Sequence, residues 1–232
     1  IGYQSMADIN ASAASYNIAI GEETLKGAGA EQSGCVAIGH TAVNNTSAEA
    51  DGLVAIGYGA MQGDLTSGAD NSIGIGNSAL QALTSGGVNT AIGYQSMLST
   101  TTGANNTALG YAALRTNVDG SNNVAIGSSS LYTFEASSGG DGCNTAVGAN
   151  SGYLVSTGQD NVLIGENAGW INSGTSLTTG SGNTLVGYQA AIGSASGANR
   201  TAIGNGVTAQ ADNSVTLGNA SVTAVYMGQD SG

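Results

Sequence analysis

Proline is absent from this chain, and histidine, tryptophan and phenylalanine occur once each. Charge is scarce too: 8% of residues are Asp, Glu, Lys or Arg, against roughly 25% in an ordinary domain. A chain so poor in large aromatics cannot build a conventional core of Leu, Phe and Trp. Only Lys26, Arg115 and Arg200 are basic, against 15 acids, for a formal charge of −12. Phosphate recognition needs clustered Lys and Arg, so nucleic acid is excluded as a partner. No apolar run approaches the length that a membrane-spanning helix needs, which argues against membrane insertion, and no signal-peptide pattern opens the chain. The chain begins and ends inside repeat-like text, so it is expected to be a piece of a longer polypeptide. Cys35 and Cys143 lie far apart in the sequence. In a repetitive stack they are several repeats apart and cannot bridge, and both are expected as buried thiols.

What is present is order. Glycine accounts for 39 of 232 residues, and 41% of the chain is apolar. The apolar residues are strictly placed, which separates this chain from disordered low-charge sequences. The stretch NTAIGYQSML (Asn89 to Leu98) returns as NTALGYAALR (Asn106 to Arg115), and the chain opens with IGYQSM. Aligned on the glycine after an aliphatic residue, the anchors are Gly2, Gly21, Gly39, Gly57, Gly76, Gly93, Gly110, Gly127, Gly148, Gly165, Gly187, Gly204 and Gly218. That makes thirteen copies. Their spacing runs from 17 (Gly93 to Gly110) to 22 (Gly165 to Gly187), with a shorter last step of 14 (Gly204 to Gly218).

The residue before each anchor is Ile, Leu or Val, as in Ile38, Ile56, Ile92, Leu109 and Ile126, before Gly39, Gly57, Gly93, Gly110 and Gly127. Two positions earlier stands Val, Ile or Thr, and between them usually Ala. Such a triplet is a short strand, since β-branched residues suit a pleated surface of period 2. The bulky residues share one face and the Ala lies on the other. The glycine ends the strand, where φ is positive or another backbone passes close. Asn often opens the triplet, at Asn17, Asn89, Asn106, Asn123, Asn144, Asn161 and Asn183. Stacked copies would repeat its side-chain bond as a ladder. After the glycine comes x-x-[Ala/Ser]-[Leu/Met], as in Ser96-Met97 and Ala113-Leu114. Strand and single helical turn both fit this second element. A variable linker follows and absorbs the length differences.

The expected fold is therefore all-β: a parallel β-solenoid of about thirteen short repeats, on the order of 60 Å long at about 4.8 Å per coil. The strand is apolar on both faces, and a lone coil buries one. The Ala face then calls for a second close packing surface, which neighbouring subunits around an axis would supply. A thin rod also buries little area per chain, a second reason to expect oligomers.

The motif Asn-[Ser/Thr/Val]-x-Ala-Ile-Gly resembles the head repeat of trimeric autotransporter adhesins, and the short last step, Gly204 to Gly218, matches that family's usual period. The resemblance implies a left-handed parallel β-roll with three chains around an axis. The longer phrase, NTAIGYQSM followed by TTGANNTALGYAAL, is similar to repeat regions of phage tail fibres, where a C-terminal intramolecular chaperone often follows. The end, Ala211 to Asn219 and then Val225-Tyr226-Met227-Gly228, looks like the approach to that chaperone. By this resemblance residues 1–204 are a fibre shaft and 205–232 a shorter-period end segment before a further C-terminal region. It implies a homotrimer in a virion tail fibre or, alternatively, on a bacterial surface. Attachment would be to a host-surface glycan or protein, through this or an adjacent domain.

Chemistry-bearing motifs are few. Gly74-Ile75-Gly76-Asn77-Ser78-Ala79 fits G-x-G-x-x-A, but it is one repeat copy with Gly74 for the usual Ala, so no dinucleotide cofactor is expected. His40 lies in the column after the anchor glycine, and nothing marks a nucleophile and acid around it. No catalytic residue is assigned. That column also holds Tyr58, Tyr94, Tyr111 and Tyr188, the candidates for surface recognition. Tyr94 and Tyr111, in consecutive copies, are placed to stack side by side. The plainer reading is Tyr lying over its own coil with its hydroxyl in water. Glu22, Glu23, Glu49, Asp51, Asp64, Asp70, Asp141, Asp160 and Glu166 sit in turns, where Ca²⁺ takes its oxygens. No EF-hand or G-G-x-G-x-D repeat appears, so solvated acids are the preferred reading. Two other classes compete with a fibre. An ice-binding solenoid would use the Thr ladder Thr90, Thr107, Thr145, Thr184 and Thr201, but its alternation with Val124 and Val162 suits a core better. A glycan-degrading solenoid would need paired carboxylates in a groove, and only Glu22-Glu23 and Glu49/Asp51 are close in sequence.

Overall fold

The structure is a computed structural model that describes residues 1–7, 15–27, 31–136, 140–171 and 174–225. Tyr226, Met227 and Gly228 of the end motif lie outside the described residues. The chain is an all-β parallel solenoid of about eleven turns. Twelve strands, from Ile18–Ile20 to Ser214–Leu217, form one sheet in sequence order. The first copy, Ile1-Gly2, forms no strand, although Ile1 accepts the Gly21 N–H at 2.8 Å. Register is fixed by the triplet: Thr90–Ile92 pairs Thr90 with Thr107, Ala91 with Ala108 and Ile92 with Leu109, and the next coil continues with Val124, Ala125 and Ile126. The one helix among the described residues is the single 3₁₀ turn Ser67–Ala69; no helix is long and apolar enough to cross a membrane.

The anchor glycines meet both expectations at once. Gly110 has φ +142°, and a Cβ on it would stand 2.5 Å from the Gly127 carbonyl oxygen of the next coil. The Asn ladder forms as well. The N–H of Asn106 donates to Asn89 Oδ1 (2.9 Å), that of Asn123 to Asn106 Oδ1 (2.9 Å), and so on through Asn144, Asn161 and Asn183 to Arg200. Side-chain amides of the ladder also donate to linker carbonyls, for example Asn144 Nδ2 to Gly158 O at 2.9 Å. Buried amides with both ends satisfied tie strand to linker along the stack.

The two faces of the sheet are opposite to the expectation. The Ala row is the interior: Ala37, Ala55, Ala91, Ala108, Ala125, Ala146 and Ala202 are fully buried. It packs inside its own chain against the second element, whose small residue and Leu or Met (Ser96-Met97, Ala113-Leu114) are also buried. The Ala column therefore needs no neighbouring subunit. The bulky rows point outward and are half-buried or exposed, with Leu109 at 46% and Ile203 at 44%. A short second element can fill a thin roll only if the strand offers small side chains toward it.

The second element is neither strand nor helical turn in most coils. It is a turn with alternating backbone handedness, in which Gln95 (φ +54°) and Met97 (φ +50°), or Ala112 (+51°) and Leu114 (+52°), follow the positive-φ glycine. It becomes strand only near the end, where Ala191–Ile192 pairs with Thr208–Ala209. There Arg200 takes the ladder position. It is 5% exposed, and its Nη2 lies 2.7 Å from Asp212. Backbone donation from Ala198 and the Arg200 guanidinium hold the Asp212 carboxyl below its usual range.

Candidate functional site

One position after each anchor glycine, side chains emerge at the rim of the outward sheet face. Tyr58, Tyr94, Tyr111 and Tyr188 are all exposed there. Coil stacking brings two pairs together. Tyr94 and Tyr111 stack with ring centroids 5.5 Å apart and planes within 8°. His40 and Tyr58 do so at 5.2 Å and 6°. Tyr188 stands between Glu166 and Asn205 in the same column. These spacings are offset stacks, so each pair covers part of its own ring faces. His40 Nε2 lies 3.8 Å from Glu22 Oε2 and its ring against Tyr58. The structural residues Ile38, Ile56, Ile92, Leu109 and Ile126 form the outward row, each followed by its glycine at the strand end.

A second ladder, not anticipated from the sequence, runs five positions after the glycine. The residues before it in the chain point inward at the strand, so this position faces out from the opposite layer. After Lys26 and Asn44 come Gln62 and Gln81, joined by an amide hydrogen bond of 3.0 Å. Further along come Arg115, Tyr132, Tyr153 and Trp170, all half-buried. The Arg115 guanidinium lies 5.6 Å from the Tyr132 ring centroid. Tyr132 stacks on Tyr153 at 5.0 Å, and Tyr153 meets Trp170 at 5.2 Å with a tilt of 42°. Counting from the anchors, rather than reading local motifs, would have found this column.

Two of the turn acids, Asp51 and Asp70, accept backbone N–H groups of neighbouring coils. Asp51 accepts from the Ser33 N–H at 2.7 Å, and Asp70 from the Asp51 N–H at 2.9 Å. Glu23 pairs with Lys26 at 3.7 Å. Among the described residues no three of His, Cys, Asp and Glu converge as a metal cluster would. One carboxyl pair was missed because its members lie in different coils. Glu135 accepts the Val118 N–H at 2.6 Å and shares a hydrogen bond with Asp119; burial, then Asp119, raises its pKa. Carboxyls in direct contact are closer than the roughly 5 Å or more of glycosidase pairs.

The cysteines divide. Cys35 is fully buried, as expected, and burial pushes its thiol pKa up. Cys143 is exposed, contrary to expectation. It sits in a positive-φ turn beside Asp141, where the chain leaves the core. Gly74 is explained by packing: a Cβ there would stand 3.2 Å from Met61 Cε. The G-x-G-x-x-A match is thus a coil that admits a larger Met, not a nucleotide loop. Comparison with protein-family models, curated proteins and solved structures finds no match to this chain.

Proposed function

We propose that this chain is a shaft segment of a homotrimeric attachment fibre, similar to the repeat regions of phage tail fibres, that supports binding to a host surface. One observation carries the reading. The outer face of the sheet holds twelve strands with two outward side chains apiece, and every one is Ile, Leu, Val or Thr. The 15 acids all lie elsewhere. A continuous exposed apolar stripe of this kind marks an interaction surface. It is free of charge along its whole length, so identical copies can meet there without burying an unpaired ion. Cyclic packing about an axis parallel to the stack keeps all chains pointing the same way, as a shaft with a tip at one end requires. A bacterial surface adhesin head is the near alternative.

A second reading gains from the same face. The Thr/Val row faces outward, so the argument that it suits a core falls, and a regular Thr-rich sheet is what an ice-binding solenoid presents. Native mass separates the two. Light scattering after size exclusion, at several concentrations, is expected to give three times 22.4 kDa. A folded monomer at every concentration overturns the shaft. Thermal hysteresis of that monomer would then establish the ice-binding reading.

A further inference from the structure

We infer that the ladder Arg115–Tyr132–Tyr153–Trp170 is a saccharide-binding strip for a neutral, extended oligosaccharide lying along the solenoid axis. This rests on the attachment part of the proposed function and moves the recognition surface from the Tyr94/Tyr111 column to the opposite layer. Four observations carry it. First, the column is not aromatic elsewhere: it holds Lys26, Asn44, Gln62, Gln81 and Leu98 before Arg115, and Ile192 and Ala209 after Trp170. Only over three consecutive coils does it become wholly aromatic, including the sole Trp of the chain.

Second, Arg115 is the one Lys or Arg with no carboxylate partner among the described residues. Lys26 has Glu23 and Arg200 has Asp212. Arg115 is instead fixed by neutral acceptors: Nε donates to Gln95 Oε1 at 3.2 Å, and Nη1 to the Tyr132 hydroxyl at 3.1 Å. A planar guanidinium held so keeps its Nη2 donors preset for a pair of adjacent oxygens. Third, the rungs are 5.0 and 5.2 Å apart, close to the advance of one pyranose ring in an extended β-linked chain. A sugar polymer can then meet one rung per unit, its apolar face against the outward edges and uncovered parts of the stacked rings and its hydroxyls against Arg115. Fourth, the column stays open as a surface: in the trimer proposed above the subunits meet on the other layer. The charge of −12 repels acidic polysaccharides, which selects a neutral ligand.

The single Trp makes the test local. The intact chain is titrated with β-linked gluco-, manno- and N-acetylglucosamine oligosaccharides of increasing length, and tryptophan emission is followed. A saturable change is expected, with affinity rising with length. Tyr153→Ala and Arg115→Ala should each weaken it about tenfold, and Tyr94→Ala should leave it unchanged. Circular dichroism confirms that each variant is folded. No emission change with any oligosaccharide at millimolar concentration overturns the proposal, as does a change that survives both strip variants. A response confined to carboxylated oligosaccharides overturns the neutral assignment. Native mass on the same samples keeps the two readings apart. A trimer without a response sinks the strip and leaves the shaft; a responding monomer does the reverse.

Discussion

Each coil places two unusual demands on single residues. The anchor glycine has φ between +126° and +143° in twelve of its thirteen copies, a region essentially closed to side chains. It also touches the next glycine's carbonyl. Gly110→Ala therefore suffers twice, from strain and from a Cβ 2.5 Å from Gly127 O. A loss of more than about 4 kcal/mol is expected, in the exceptional tail of point mutations. Gly34→Ala is the control: φ is +69° and nothing lies within 4 Å of the added Cβ. It should cost only the roughly 1–2 kcal/mol of a left-handed residue. Denaturant melts of the two variants check this, and equal losses would show that inter-coil contact is irrelevant. The glycine, the Asn ladder and the strand register were legible in the sequence because each is set by a residue type with one physical use. Which strand face turns inward was not. Val-Ala-Ile is apolar on both sides, and period 2 separates the faces without choosing between them. The exposure of Cys143 was equally hidden, because it depends on the path of a variable linker.

At the scale of the element, strand and turn share one volume. In most coils the strand gives Ala, and the turn gives Leu or Met at φ near +50°. A left-handed Leu costs about 1–2 kcal/mol, which its complete burial offsets. Two steps along the stack reverse the arrangement: Leu163 and Leu185 stand in the Ala row, and the turn of the preceding coil gives Gly152 and Gly169 opposite them. A Cβ on Gly152 would sit 2.7 Å from Leu163 Cδ1. The swap keeps the core filled and lets glycine take the strained position. Leu163→Ala should cost about 2–5 kcal/mol as a cavity, and Gly152→Leu alone should destabilise by overpacking. Combined, they return the large side chain to the turn across the Gly152–Leu163 contact, and part of the loss should return, short by the strain of a left-handed Leu and by the space left beside Gly169. A double-mutant cycle measures the coupling; additive losses would mean that the side chains do not share the space. The sequence contained this exchange, but it becomes readable only once the Ala column is known to face the turn. The aromatic ladder was missed for a related reason. Each of its members lies a whole coil from the next, so no local motif contains two of them.

At the scale of the molecule, a stack with one charge-free wall has the form of the assembly unit proposed above. The inner Ala and Leu rows already fill the roll, and the outward Ile row is the surface on which the proposed trimer would meet. That separation makes the interface testable without unfolding the subunit. Ile92 and Ile126 lie two coils apart near the middle of the row, each only half-buried within its own chain. Lysines at both positions keep their stems along the sheet and their charges in water while the chain is alone. In the proposed assembly they would place like charges from every subunit close to the axis, where water is excluded and repulsion is strong. Ile92→Lys with Ile126→Lys should therefore leave the far-ultraviolet spectrum of the strands intact and reduce the native mass to that of one chain. The same two lysines at Gln62 and Gln81, on the opposite layer, should leave the mass unchanged. If the sheet-face variant stays trimeric, the chains meet on another surface, and the outward row keeps only its ice-like Thr and Val lattice as an explanation. If both variants become monomeric, long-range charge rather than the apolar wall governs assembly, and raising the salt concentration would restore the trimer in both.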